Sequence, residues 1–210
     1  MILLQALAIA ILVGVLRGGR PSQLMLVPLR WPALPLFASA AQFLVVRLGD
    51  GQRAAPDLLA GILLLSNLAL LLMVWVNRHI PGMALLGVGL ILNLVVMLAN
   101  GGAMPISPET MARIGAADPA ALLGTRVLGC KSVLLLLEQT QLWFLSDVLV
   151  LPPPFALSAF SAGDVLIAWG VFEMVQWVLL APLAGRTSPG RPATVVAPPW
   201  LAMSRTEGGS

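Results

Sequence analysis

Five stretches apolar enough to lie inside a lipid bilayer, crowded into 210 residues, leave this chain few ways to fold. A helix needs about 17–25 mainly apolar residues to cross the hydrocarbon. Met1 to Leu16, Trp31 to Leu48, Leu58 to Val76, Ile80 to Ala99 and Phe160 to Leu183 are the candidates. The first is the shortest, so Arg17 is expected to snorkel to the interface. The second is the most polar, with Pro32, Pro35, Ser39, Gln42 and Arg47. Charged residues are 10% of the chain and hydrophobic ones 59%, whereas soluble domains are roughly a quarter charged. The expected fold is therefore all-α: a polytopic transmembrane bundle of five spans.

Charge bias sets the expected topology. Residues 132–151, SVLLLLEQTQLWFLSDVLVL, are long enough to cross but carry Glu138, Gln139, Gln141 and Asp147. With five spans and the N-terminus outside, Arg17, Arg20, Arg30, Arg78, Arg186, Arg191 and Arg205 fall on the cytoplasmic side, seven of the twelve basic residues. A sixth span would reverse that bias, leaving four inside against eight outside. The positive-inside rule favours five spans, N-terminus outside and C-terminus cytoplasmic. Residues 132–151 then lie outside as an interfacial or re-entrant helix.

Residues 101–157 are expected to form an extracytoplasmic cap of short helices between spans four and five. Asn100-Gly101-Gly102 closes the fourth helix with residues that tolerate left-handed backbone. Ser107-Pro108-Glu109 and Asp118-Pro119 read as helix starts, predicting helices near 108–114 and 119–128. Pro152-Pro153-Pro154 ends the cap. Residues 1–185 form one domain on this reading, with 186–210 a flexible cytoplasmic tail. The first stretch lacks the basic n-region of a secretory signal and is expected to be retained.

Cys130 and His79 are the only residues of their kinds, so a Cys/His metal site has no parts within one chain. No metal or cofactor is expected. Dispersed arginines without an aromatic-interleaved patch argue against nucleic acid. Expected partners are membrane lipids and either a membrane-protein partner or further copies of the chain.

Polar residues inside the spans carry the remaining information. Gly82, Gly89, Asn93 and Asn100 fall within about 40° on one helix face. That stripe suits close helix packing, or a polar cavity lined by Asn93 and Asn100 with Ser39 and Gln42 opposite. Asn67, beside Ser66 in span three, offers further hydrogen bonds. Glu173 lies inside the last span, where an ionised carboxylate costs several kcal/mol unless paired or protonated. Trp169, Gln176 and Trp177 are predicted to share its face. Asp164 suits the acidic first turn of that helix. Glu109, Glu138, Asp147 and Asp164 all fall on the outer side, in no metal-binding spacing. Trp143 and Phe144 suit interfacial anchoring.

LANGGAMPISPE (98–109), EQTQLWFLSDVLVLPPP (138–154), FSAGDVLIAWG (160–170) and LRGGR (16–20) together resemble a bacterial family of small integral membrane proteins known only as a domain of unknown function. The resemblance covers roughly residues 1–175. It implies a bacterial cytoplasmic membrane and a single domain comprising spans and cap, and transfers no activity. Asn100, Asp147 and Asp164 lie within the resembling blocks.

Three functions are compatible with these residues. The leading one is a non-catalytic accessory or assembly subunit packing against a membrane complex. A membrane-embedded enzyme acting on a lipid or isoprenoid-like substrate at the outer leaflet would gather Asp147, Asp164, Glu109 and Asn100 under the cap. A small proton-coupled transporter would titrate Glu173.

Overall fold

In the computed structural model of the protein, described over residues 2–49, 55–115, 123–125, 127, 132–151 and 158–181, a helix stands on each of the five apolar stretches. These are α1 (Ile2–Leu16), α2 (Ala33–Gly49), α3 (Pro56–Val76), α4 (Met83–Ala99) and, after the short α5 (Pro108–Arg113), α6 (Ala162–Leu179). Local sequence explains their starts. Pro56 occupies the first turn of α3 with Asp57 behind it, and Ser161 and Asp164 form a capping box at α6. Helices α3 and α6 are long and apolar enough to cross a membrane; α1, α2 and α4 are shorter apolar helices.

The helices pack side by side in the order α2, α3, α4, α6, α1. Gln42 meets Ser66 between α2 and α3, Asn67 meets Met97 between α3 and α4, and Gly82 and Gly89 meet Gly170 and Gly163 between α4 and α6. These neighbours run antiparallel. By contrast α1 runs parallel to α6, with Ala10 beside Gln176 and Arg20 beside Leu179. The core is divided accordingly. Val74, Met83, Leu86 and Ile167 fill one end between α3, α4 and α6. Val45, Leu63, Val96 and Met97 fill the other, against Met104, Leu142 and Leu145 of the α4–α6 connection, and Ala10, Val175 and Leu179 seal α1 to α6.

Each helix buries one side only. Leu4, Leu12, Phe37, Phe43, Leu65, Leu68, Val88, Ile91 and Trp169 all stand exposed. A soluble monomer rarely shows contiguous apolar surface beyond a few hundred Å². Charge is also segregated. The end where α1 and α3 finish and α2 and α4 begin carries Arg17, Arg20, Arg30, Arg78 and His79. The opposite end carries Asp57, Glu109, Glu138, Asp147 and Asp164 with Arg47 and Arg113. At both ends an arginine lies over an aromatic ring one turn back, Arg78 over Trp75 at 4.6 Å and Arg47 over Phe43 at 4.9 Å.

The region between α4 and α6 corrects the expectation of short helices alone. Helix α5 forms where Ser107 and Pro108 predicted it, with the Ser107 hydroxyl accepting the Thr110 N–H. The second expected helix, near 119–128, and Pro152 to Pro154 lie mostly or wholly outside the described residues, as does the tail after Ala181. Residues 132–151 are not one helix. They form β2 (Ser132–Leu134), two 3-10 turns at Leu137–Gln139 and Trp143–Leu145, and β3 (Leu149–Val150). Strand β2 pairs in parallel with β1 (Met104–Ile106), and β3 pairs antiparallel with β4 (Ala159–Phe160).

The physical reason is alternation. Ser132 and Leu134 point inward and Val133 outward, a period of two that lets Leu134 join Ile106, Met111 and Val127 in a small core. Downstream, Leu142 adopts left-handed backbone, with φ 55° and ψ 41°. No α-helix could continue through it.

Candidate functional site

The α4–α6 seam is built on four glycines. Gly82 and Gly89 are seven residues apart on α4, and Gly163 and Gly170 are seven apart on α6, so antiparallel packing sets Gly82 against Gly170 and Gly89 against Gly163. A Cβ at Gly89 would strike the Gly163 carbonyl oxygen. One at Gly82, whose φ is 85°, would strike that of Gly170. Backbones therefore approach as closely as small-residue seams allow. The expected packing role of Gly82 and Gly89 has its geometric counterpart here.

One turn beyond Gly89, Asn93 closes a buried polar ring. Its Nδ2 donates to Asp164 Oδ1 at 2.9 Å, and its Oδ1 accepts from the Ser161 hydroxyl at 2.8 Å. Asp164 in turn accepts the Ser161 N–H, and Ser161 Oγ accepts the Asp164 N–H. The capping box of α6 is thereby tied sideways to α4. Asn93 faces a helix start rather than the cavity shared with Asn100, Ser39 and Gln42.

Asn100 serves a different purpose, and Asn77, which the sequence reading passed over, duplicates it. Asn77 caps α3 and is fully buried. Its Nδ2 donates to Met73 O at 2.8 Å and Arg30 O at 2.9 Å, and its Oδ1 accepts the Arg30 N–H at 2.7 Å. Asn100 caps α4. Its Nδ2 donates to Val96 O at 2.8 Å and Gln141 O at 2.9 Å, and its Oδ1 accepts the Gln141 N–H at 2.9 Å. Each side-chain amide uses both N–H groups and its oxygen to clasp a distant residue's peptide groups at a helix end. The residue after each clasped position is Trp31 or Leu142, the only non-glycine residues with positive φ among those described, at 58° and 55°. Such backbone costs of order 1 kcal/mol or more and persists where surrounding contacts determine it. The two clasps supply those contacts at opposite ends of the molecule.

Several other internal polar groups also have partners, while Gln5 Oε1, Gln23 Oε1 and Ser158 Oγ are buried without one. Gln42 Nε2 donates to Ser66 Oγ at 3.2 Å, so its neighbour is α3 rather than α4. Asn67 Nδ2 donates to Leu63 O at 2.9 Å and reaches Met97 Sδ at 3.7 Å. Gln176 is buried against α1, donating to Ala10 O at 2.7 Å and accepting from Arg17 Nη1 at 3.0 Å. Arg17 thus ends on α6. Gln176 departs from the face predicted for it, while Trp169 (62% exposed) and Trp177 (42%) flank an exposed Glu173.

The carboxylates at the acidic end do not gather: Glu138 is exposed on the 3-10 turn at Leu137–Gln139 with no hydrogen bond or ion pair among the described residues, and Asp147, Asp164 and Glu109 hold separate partners. Asp147 is buried and accepts from the Ser132 hydroxyl at 2.9 Å, while its N–H donates to Pro105 O at 3.1 Å, joining the β1–β2 pair. Asp164 belongs to the Asn93 ring. Glu109 is exposed on α5, where a hydrogen bond with the Ser107 side chain, followed by a backbone hydrogen bond, holds its carboxyl below the ordinary range. Among the described residues no group of three His, Cys, Asp or Glu is placed to hold a metal ion. Cys130 lies outside the described residues.

Glu173 shares with Glu138 the lack of a partner but differs in place. Among the described residues it forms no hydrogen bond and no ion pair, although it sits within an apolar helix. Signals for the missed features exist in sequence: Gly163 and Gly170 repeat the seven-residue spacing of Gly82 and Gly89. The asparagine clasps leave none, since each joins residues 47 or 41 positions apart.

Neither a curated protein nor a solved structure matches the chain at a significant level. A family model does match, over residues 26–176, a range that takes in α2 to the Gln176 contact and leaves out α1 with the LRGGR segment. The chain belongs to DUF5317, a family of unknown function.

Proposed function

We propose that this is a five-span membrane protein of the bacterial cytoplasmic membrane, N-terminus outside and C-terminus cytoplasmic, acting as a non-catalytic accessory or assembly subunit. The observation that carries this reading is the outward face of α6. Five helices expose apolar side chains that lipid covers without difficulty, but among the described residues only α6 places an unpartnered carboxylate midway along its length rather than at a helix end. Lipid alone is a poor environment for that group.

Segregated charge supports the orientation. The end bearing Arg17, Arg20, Arg30 and Arg78 suits the cytoplasmic side, and the capped, acidic end suits the outside. The non-catalytic reading is supported by the employment of Asp147, Asp164 and Asn100 in closing structure, each with its own partners. A subunit role predicts a specific neighbour at α6. A photo-crosslinking residue at Trp169 should give a discrete protein adduct in native membranes, whereas one at Leu68 on α3 should give lipid adducts only. Lipid adducts alone at both positions would contradict the reading.

A further inference from the structure

We infer that the exposed face of α6 is a docking site for a transmembrane helix of another protein that carries an arginine or lysine at the depth of Glu173. This rests on the membrane reading above and specifies the chemistry of its partner. Trp169, Glu173 and Trp177 follow one another at four-residue intervals and fall within an arc of about 80°. Leu180 lies within the same arc and is exposed. Most of the rest of the helix is occupied: Gly163, Ile167 and Gly170 face α4, and Val175, Gln176 and Leu179 face α1, while Val165 extends the exposed strip toward the Ala162 end. The carboxylate thus stands in the middle of the one unpacked strip of α6.

Its position along the helix fixes the partner's chemistry. Glu173 is about 9 Å from the Leu179 end and about 16 Å from the Ala162 end at 1.5 Å per residue, inside the apolar layer. An ionised carboxylate there needs an opposite charge at the same level. Among the described residues the cation that reaches α6 is Arg17, and it is engaged by Gln176 Oε1 at 3.0 Å, one turn further along. A second copy offers no better counter-charge. Copies share one orientation, so twofold pairing through this face sets Glu173 against Glu173 and supplies no opposite charge. The other described arginines lie at the molecular ends. Trp169 and Trp177 supply broad flanking surfaces that can also lie against a guanidinium or ammonium.

The probe is a synthetic leucine-rich transmembrane peptide with a single central arginine, labelled with an energy-transfer acceptor for tryptophan and reconstituted with the full chain in phosphatidylcholine vesicles. A peptide with leucine at that position is the control. The arginine peptide should associate about tenfold more strongly than the leucine peptide, the scale of polar contacts between spans. The preference should survive Glu173→Asp, vanish in Glu173→Gln, and in Glu173→Lys pass to a peptide with central glutamate. Equal association of both peptides with the native chain, or a preference that persists in Glu173→Gln, overturns the proposal. So does Glu173-dependent transfer between two labelled copies of the chain, which would assign the face to self-association. If the peptides show no preference while the Trp169 protein adduct persists, the subunit reading stands and the basic partner does not.

Discussion

At the scale of single residues, the polar groups inside the apolar helices fall into two classes: those that close a hydrogen-bond circuit and those that do not, among them the buried Gln5 Oε1 and the exposed Glu173 carboxylate. Asn77 and Asn100 illustrate the first. Removing the fully buried Asn77 strands the buried Met73 C=O contact and the partly buried Arg30 N–H and C=O, and a buried hydrogen bond left unmade costs about 1–3 kcal/mol. Asn100 is half-buried, so water replaces much of what it provides. Asn77→Ala should therefore destabilise by about 2–4 kcal/mol and Asn100→Ala by about 1 kcal/mol, measured as unfolding in mild detergent. Equal effects would show that burial does not set the value of the clasp. Glu173 belongs to the second class, and its isolation was half legible in sequence. Its place within a span was plain, but that Arg17 reaches Gln176 instead depends on how α1 meets α6.

At the scale of elements, the α4–α6 seam shows what a seven-residue glycine spacing specifies. Two such pairs, read in opposite directions along two helices, fix both contact and register. Gly89→Ala pushes a methyl group into the Gly163 backbone and should cost about 1–3 kcal/mol, as overpacking does. Gly61→Ala on α3, where a Cβ meets nothing within 4 Å, should be neutral or stabilising by up to about 1 kcal/mol. Thermal unfolding of the purified protein compares the two. Apolar helices were the legible elements, because a stretch of such composition has few alternatives to hydrogen-bonding itself. The strand pairs were not. Pairing of β1 with β2 joins short segments far apart in sequence, and alternation over three residues within a leucine-rich run looks the same as a helix face. Leu142, whose backbone interrupts any helix there, owes its conformation to a clasp that no local pattern announces.

At the scale of the whole molecule, direction and charge agree. Antiparallel neighbours, with α1 parallel to α6, gather Arg17, Arg20, Arg30 and Arg78 at one end and the cap with most of the described acids at the other. This asymmetry gives the proposed orientation its physical basis: arginines retained on the cytoplasmic side and a folded, acidic cap outside. It also places Glu173 within the apolar length of α6, nearer the basic end, which sets the depth of the proposed α6 partner. In a Cys130→Ser background, cysteines introduced at the exposed positions Glu109 and His79 report the two ends separately. A membrane-impermeant maleimide applied to intact cells should label Glu109→Cys directly and His79→Cys only after permeabilisation. Labelling of both from the same side would contradict the proposed crossing.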